Sequence, residues 1–174
     1  LLDTGEIGRL EEAAARTDWE RELAIQLIDR CGLRASEVSY PGDAELRYSD
    51  DADGWLLEVR GKNTKGGDPT VRDAWMPEPV EANAAGRPLR DRATGEAWVQ
   101  ASTSSVRRWV REAAAHVAEA DPQADRWRQI SSHDLRRSWA THHLVERQVD
   151  VRTMMAVGGW SDYSAIEPYL AEPT

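Results

Sequence analysis

Several residue types are scarce in this chain, and each scarcity excludes a class of structure. A single cysteine, Cys31, among 174 residues excludes an internal disulfide and a multi-cysteine zinc site. No stretch has the roughly 18 uninterrupted apolar residues that a membrane span needs. No basic segment followed by an apolar run marks a secretory signal. These absences predict a soluble cytoplasmic protein, and the length predicts one domain over residues 1–174.

Lysine and phenylalanine are also rare. The chain has 31 acidic and 22 basic residues, a net charge of −9, no phenylalanine, and only two lysines, Lys62 and Lys65. Arginine supplies the other basic residues. This balance resembles proteins of salt-loving organisms, whose surface carboxylates maintain solubility, although an ordinary acidic protein has a similar composition. The net charge therefore says little about the partner, even though nucleic-acid binders usually carry a basic face.

Apolar periodicity predicts a mainly helical chain. Residues 6–30 form two helical pieces, the second beginning behind Asp18 as N-cap and ending at Cys31 and Gly32. A short helix follows Pro77, and Ser131 or Ser132 can cap a later one. The remaining predicted helices cover residues 104–120, 132–148, 150–157 and 162–170.

Three β-like segments lie between the helices, at residues 44–48, 55–60 and 71–76. Aspartate-rich and glycine-rich stretches separate them, as turns require. They predict a three-stranded antiparallel sheet with Lys62 and Lys65 at the tip of its second hairpin. The expected fold class is α+β, mainly α-helical, with this one small sheet.

His133 and Arg136 are three residues apart at the start of a predicted helix, and therefore share one face. An imidazole beside a guanidinium suits a phosphodiester, because the planar fork of arginine binds two phosphate oxygens and histidine moves a proton. The helix N-terminus adds backbone N–H groups for an anion. Alone, this pair is common on protein surfaces.

Four further motifs accompany the pair in a fixed order. Arg34 lies in the segment GLRASE, the lysine hairpin follows, and after the His-x-x-Arg pair come Gly-Gly-Trp160 and, nine residues later, Tyr169. In this order the chain resembles the catalytic domain of the tyrosine recombinase (phage integrase) family, from about residue 18 to residue 170. The resemblance implies a site-specific DNA recombinase or integrase, and the composition suggests a halophilic, archaeal member.

The resemblance also implies a role for each motif. Tyr169 is the nucleophile that forms a 3′-phosphotyrosine, and a hairpin lysine protonates the leaving 5′-oxygen. Arg34 and Arg136 clamp the non-bridging phosphate oxygens. His133 assists proton transfer, while Trp160 can only donate a hydrogen bond. Bond energy is retained in the phosphotyrosine, so no metal and no other cofactor is expected.

Some assignments have rivals. We favour Lys62 as the general acid, with Lys65 as the alternative. Tyr163 is a second candidate nucleophile, but it follows Trp160 too closely for the family spacing. Glu37 is expected to orient its neighbours from behind the site. His143, seven residues past Arg136, is expected to support that helix.

Three other functions are compatible with parts of the sequence. His116, His133, His142 and His143 suggest a metal, but adjacent histidines on a helix point about 100° apart and no carboxylate or cysteine pattern completes a zinc site. A type IB topoisomerase shares the tyrosine chemistry but usually carries lysine at the position of His133. A non-catalytic DNA-binding regulator on the same fold would not need the intact set of motifs.

The resemblance implies partners as well. Double-stranded DNA is the expected substrate, handled by a homo-tetramer, although this fragment can be a monomer. Because the chain begins with Leu1, we expect the family's N-terminal DNA-clamping domain to lie outside it. Few residues follow Leu170, so the C-terminal element exchanged between subunits is expected to be short or missing. Localisation is expected to be cytoplasmic and nucleoid-associated, with no membrane.

Overall fold

The computed structural model describes residues 2–61, 70–87, 96–122 and 124–170. Two helices begin the fold, α1 at Thr4–Ala15 and α2 at Trp19–Asp29. The Asp18 carboxylate accepts a hydrogen bond from the backbone N–H of Arg21 at 2.9 Å, so the predicted N-cap is confirmed. This bond satisfies one of the free donors of the first turn of α2.

The sheet has the predicted three antiparallel strands, β1 at Leu46–Ser49, β2 at Gly54–Arg60 and β3 at Val71–Met76, in the order β1-β2-β3. Leu57 pairs with Ala74 and Val59 with Arg72. One face is buried, because Leu57, Val59 and Ala74 are inaccessible to solvent. Lys62 and Lys65, expected at the tip of the second hairpin, lie outside the described residues.

Helices α3 at Glu78–Ala85 and α4 at Thr103–Ala118 follow. Helix α4 was predicted within two residues of its ends, and its buried stripe packs on α1 and α2. Helix α5 at Ala124–Arg128 was not predicted. At five residues it is too short for a helical period to show, and the Trp127 indole anchors it by donating to the Asp121 carboxylate at 2.7 Å.

The C-terminal third contains α6 at Ser132–Thr141, a π-helical turn at His142–Glu146, α7 at Val151–Gly158, α8 at Tyr163–Ile166 and a 3₁₀ turn at Glu167–Tyr169. The prediction of one helix over 132–148 was wrong beyond Thr141. The wider π-helical turn buries two consecutive side chains, His143 and Leu144. The predicted last helix divides before Pro168, whose missing N–H cannot extend the α-helical bonding.

Two apolar clusters fill the interior. The larger is mostly aliphatic and contains residues of α1, α2, α3 and α4 together with those of the buried sheet face. The smaller is rich in aromatic rings and joins α6 to the segments that follow it. Within residues 2–61, 70–87, 96–122 and 124–170, no helix is long and apolar enough to cross a membrane.

Candidate active site

An open cleft of about 310 Å³ lies where the segment after α2, the start of α6 and the chain after α7 meet. The residues around it come from parts of the sequence up to 135 positions apart. Its lining consists of Arg34, Ala35, Ser36, Arg107, Ser132, His133, Arg136, Trp160 and Tyr169. Five predicted site residues therefore share one cleft.

Arg34 precedes a 3₁₀ turn, Ala35–Glu37, that the Glu37 side chain closes. Glu37 accepts a hydrogen bond from the backbone N–H of Arg34 at 2.7 Å. The contacts of the Arg34 guanidinium with the described residues are long, 3.4 Å to the Glu37 carboxylate and 3.3 Å to the Gly159 carbonyl. Its side chain is 43% exposed, so it is presented to the cleft with most of its donors free.

Glu37 is almost completely buried and is paired by Arg72 of β3. Both terminal guanidinium nitrogens of Arg72, Nη1 and Nη2, donate to the carboxylate, at 2.5 and 3.0 Å. Burial alone would raise the pKa of Glu37, but the hydrogen bonds and charge of Arg72, together with Arg34, hold that pKa below its ordinary value. Glu37 is therefore an anion at neutral pH.

Arg72 was missed by the sequence analysis, although the sequence carries a signal for it. On β3, Arg72 alternates with Ala74 and Met76, both buried, so it occupies the core-facing side of the strand. A charged residue at such a position requires a buried partner of opposite charge. Pairing Arg72 with Glu37 would have followed from this reasoning only if the two segments were known to meet.

Arg136 of α6 is fixed far more tightly than Arg34. It donates to the carbonyls of Gly32 and Gly158, the latter at 2.5 Å, and its guanidinium lies 4.3 Å from the centre of the Trp160 ring. Only 5% of Arg136 is exposed. Burial and the charges of Arg34 and Arg72 lower the pKa of Arg136 to about 9, so it remains a cation at neutral pH.

The Gly158-Gly159 pair explains how Trp160 reaches the cleft. Gly159 ends α7 in the left-handed conformation, with φ of 78°. A side chain on Gly158 would lie 2.0 Å from the Trp160 ring, so glycine is required for the indole to fold back against the helix end. The Trp160 ring also stacks on Trp139 with centroids 6.2 Å apart.

Tyr169 packs against this ring system. Its ring centroid lies 5.6 Å from that of Trp160, and the Arg137 guanidinium lies 5.9 Å from its ring. Tyr169 is 9% exposed, whereas the rival Tyr163 is 52% exposed and does not line the cleft. Of the two candidate tyrosines, only Tyr169 is brought to the arginines.

His133 lies exposed in the first turn of α6, whose N-cap is Ser131. One exposed cation, Arg107 of α4, also lines the cleft and was not among the predicted site residues. Arg107 lies outside the apolar stripe of α4, which marks it as solvent-facing but does not indicate that it lies near the cleft.

His143 lies away from the cleft. Its ring contacts Trp75, Trp139 and His142 edge-on, and Trp139 in turn stacks on Trp160. Burial, Arg147 and His142 lower the pKa of His143 to about 4. The Trp139 and Trp160 rings therefore lie between His143 and the cleft. Lys62 and Lys65 cannot be placed, because both lie outside the described residues.

The described residues contain no group of three or more histidine, cysteine, aspartate or glutamate side chains placed to hold a metal ion. His116 faces Glu119 at 3.8 Å, and His142 contacts Glu146. The cleft instead combines fixed cations, a histidine and a phenol, which is a set of groups suited to a phosphoryl centre.

The model of the phage integrase family matches residues 1–173. The chain belongs to the phage integrase family. It is a tyrosine recombinase catalytic domain, in agreement with the resemblance read from the motifs. No curated protein matches the chain.

Solved structures with the same fold include recombinases and an integrase. An XerH site-specific recombinase bound to difH substrate, in a pre-cleavage complex, superposes with a TM-score of 0.73 at 15% identity, over 99% of this chain and 50% of that one. XerA recombinase superposes with a TM-score of 0.70 at 19% sequence identity, over 99% of this chain and 60% of that one. A lambda integrase dimer bound to a COC′ core site superposes with a TM-score of 0.60 at 16% sequence identity, over 98% of this chain and 47% of that one.

At these identities the superpositions establish the fold and not the activity. The recombinase domain described here spans about half to three fifths of the length of those relatives. The mainly helical α+β class with one three-stranded antiparallel sheet is confirmed.

Proposed function

We propose that this recombinase domain cleaves and rejoins double-stranded DNA at specific sites, through a covalent 3′-phosphotyrosine. One observation carries the proposal. Arg34, Arg136, His133, Trp160 and Tyr169, distant along the chain, line a single cleft. Family membership supports the same reaction class.

The reaction is a pair of transesterifications. The Tyr169 phenolic oxygen attacks the phosphorus, the bond from phosphorus to the 5′-oxygen breaks, and the phenolic proton passes to His133 or solvent. The leaving 5′-oxygen takes a proton from a general acid. Attack by a 5′-hydroxyl then reverses these steps and releases the tyrosine.

The negative charge that develops on the phosphoryl oxygens is the main barrier, and the two arginines oppose it. Arg136 uses two of its five N–H groups on the carbonyls of Gly32 and Gly158 and keeps the others for a phosphate oxygen. Arg34 is the more accessible of the two. The Trp160 indole N–H is proposed as a further donor.

A lysine of the second hairpin is proposed as the general acid, with Lys62 favoured over Lys65. An ammonium on a flexible stem can reach the leaving oxygen without competing for the sites that the arginines occupy. Neither metal nor cofactor enters the scheme, because the phosphotyrosine conserves the energy of the broken bond.

Duplex DNA is the proposed partner, and a tetramer on two duplexes the proposed assembly, so that the protein works at the nucleoid. The relatives described as bound to difH substrate and to a COC′ core site support DNA as the ligand. The net charge of −9 with two lysines supports a halophilic, archaeal source. At high salt the long-range repulsion between an acidic domain and DNA is screened.

Incubation with a nicked suicide duplex, followed by denaturing electrophoresis, tests this function. A covalent protein–DNA adduct is expected, and Tyr169→Phe should abolish it while DNA binding persists. Tyr163→Phe is the matched control and should retain the adduct. An adduct that survives in Tyr169→Phe overturns the nucleophile assignment.

The same preparation separates the rival functions. DNA binding with no adduct from the unmodified domain would favour a non-catalytic regulator. Relaxation of a supercoiled plasmid without site preference would favour a topoisomerase, whereas adducts confined to one sequence support a recombinase.

A further inference from the structure

We propose that Arg72 is a positioning residue that neutralises Glu37 and thereby leaves the Arg34 guanidinium free to bind the scissile phosphate. The inference rests on the proposed function, because it assigns Arg34 to the phosphate. It adds Arg72 of β3, which none of the sequence motifs named above includes.

The starting point is the burial of Glu37. Its carboxylate is 1% exposed, and a buried charge must be paired and hydrogen-bonded to be tolerated. Arg72 provides two short donors, at 2.5 and 3.0 Å, whereas the guanidinium of Arg34 provides one contact at 3.4 Å. Arg72 is therefore the principal counter-ion of Glu37.

Arg72 is itself held in place. Its side chain is 9% exposed, its Nε donates to the Val157 carbonyl at 2.9 Å, and its backbone pairs with Val59 in the sheet. A bidentate pair of this kind fixes both partners in one orientation. Three segments are joined in this way: β3, the turn that carries Arg34, and the C-terminal end of α7.

Arg34 and Arg72 are placed to compete for the same carboxylate. A side chain on Gly159 would lie 3.0 Å from a terminal nitrogen of Arg72 and 3.2 Å from one of Arg34. Both guanidinium groups thus lie against one glycine, with Glu37 contacting each. Arg136 is no competitor, because the Gly32 and Gly158 carbonyls hold its terminal nitrogens.

Among the described residues, removal of Arg72 would leave Arg34 as the remaining cation in contact with the Glu37 carboxylate. A bidentate bond between them would satisfy the buried charge, but it would draw the Arg34 guanidinium out of the cleft. Displacement of a phosphate-binding group by about 1 Å is enough to slow a reaction markedly. The role of Arg72 is therefore to pair with the Glu37 carboxylate in place of Arg34.

Two variants test this competition in single-turnover cleavage of the suicide duplex at saturating DNA. Arg72→Met should cleave about 10- to 100-fold more slowly than the unmodified domain. Adding Glu37→Gln to Arg72→Met removes the charge that attracts Arg34, yet keeps an oxygen for the Arg34 backbone N–H. The double variant should cleave faster than Arg72→Met by about threefold or more.

This recovery distinguishes the proposal from a merely structural role. If Arg72 only supported the fold, loss of a second buried partner would leave cleavage equal or slower, and that result overturns the proposal. Arg72→Lys is the folding safeguard, since it retains the charge with fewer donors. Its rate should lie between those of the unmodified domain and Arg72→Met.

Arg47→Met is the matched control. Arg47 also makes a bidentate pair from this sheet, with Asp73 at 3.1 and 2.8 Å, but on the exposed side. It should cleave at the rate of the unmodified domain. A loss equal to that of Arg72→Met would mean that any weakened sheet slows cleavage, and would overturn the proposal.

A measurement without cleavage separates this inference from the proposed function. The side-chain N–H signals of Arg34 in NMR should exchange rapidly with solvent in the unmodified domain and more slowly in Arg72→Met. Slowed exchange supports the competition even if the unmodified domain forms no adduct, a result that would refute the proposed function alone. Unchanged exchange in folded Arg72→Met or Arg72→Lys overturns the inference.

Discussion

The two walls of the cleft hold their arginines in opposite ways. On the wall formed by residues 33–37 and β3, Arg34 is 43% exposed and its side-chain contacts are 3.3 and 3.4 Å long. On the wall formed by α6 and residues 158–170, Arg136 is 5% exposed and lies between two carbonyls and the Trp160 ring. One guanidinium is part of the packing, and the other is presented to solvent.

In the proposed reaction the two arginines would bind one phosphate in different ways. Arg136 gives a fixed reference for geometry, at the energetic cost of holding a cation in a buried place, which the lowered pKa of about 9 records. The Arg34 guanidinium is 43% exposed and lies 3.4 Å from the Glu37 carboxylate, to which Arg72 makes the shorter side-chain contacts. The fixed residue should therefore matter to folding and chemistry together, and the presented one mainly to chemistry.

The largest expected effect is that of Arg136→Lys. Lysine cannot reach both carbonyls and the phosphate, so cleavage should fall by about 10³-fold or more. The free energy of unfolding should also fall, by about 2–4 kcal/mol, because buried carbonyls lose charged donors. Suicide-substrate kinetics and chemical denaturation measure the two effects. Arg128→Lys, at a well-exposed arginine, is the control, and stability unchanged in Arg136→Lys would contradict the packing role.

Arg34→Lys should separate the two effects. Cleavage should decrease by about 10²-fold, because the fork that binds two oxygens is lost. The free energy of unfolding should change by less than about 1 kcal/mol, since the contacts of this side chain are long and exposed. The same pair of measurements applies. A destabilisation as large as that of Arg136→Lys would show that Arg34 also contributes to packing, and would contradict the difference between the two arginines.

Acid should lower the stability of the folded domain through protonation of His143. Its pKa is about 4 in the folded domain against 6.5 in an unfolded chain, so the unfolded state binds the extra proton as pH falls from 6.5 to 4. Stability is therefore lost over that window, by about 3 kcal/mol at its lower end.

Replacing the histidine isolates its contribution. Denaturation midpoints of His143→Gln should depend less on pH between 6.5 and 4 than those of the unmodified domain. His142→Gln, next to it but 45% exposed, should keep most of the dependence, because burial is the main cause of the lowered His143 pKa. Identical pH profiles for all three proteins would exclude His143 as the titrating group.

Salt should give the smallest effect on stability and cleavage, and it should weaken the contacts of Arg34 and Arg136 to different extents. At about 1 M salt the Debye length falls to about 3 Å, so mutual repulsion within a chain of net charge −9 is screened and thermal stability should rise with KCl. Cleavage should persist at molar KCl, with the exposed Arg34 contact weakened more than the buried Arg136 contact. Stability that is flat or falling in KCl would refute the halophilic interpretation.

Local chemistry made much of the fold predictable. Asp18 marked the start of α2, the apolar stripe of α4 defined that helix, and the alternation of β2 and β3 gave the sheet with its strand order. Helix α5 was missed because five residues leave no periodic signal. The π-helical turn at residues 142–146 was missed because an α-helical and a π-helical turn have the same residue composition.

The sequence by itself determined most of the helices, the three strands and the order of the motifs, because each depends on neighbours within a few residues. Only the tertiary structure decided which cations are buried, which are presented, and that Arg72 pairs with Glu37. Arg34 and Arg136 are the same residue type, and neither of their motifs indicates which of the two is buried. Their difference comes from the carbonyls of Gly32 and Gly158, the Trp160 ring and the Glu37 carboxylate, which distant segments bring together.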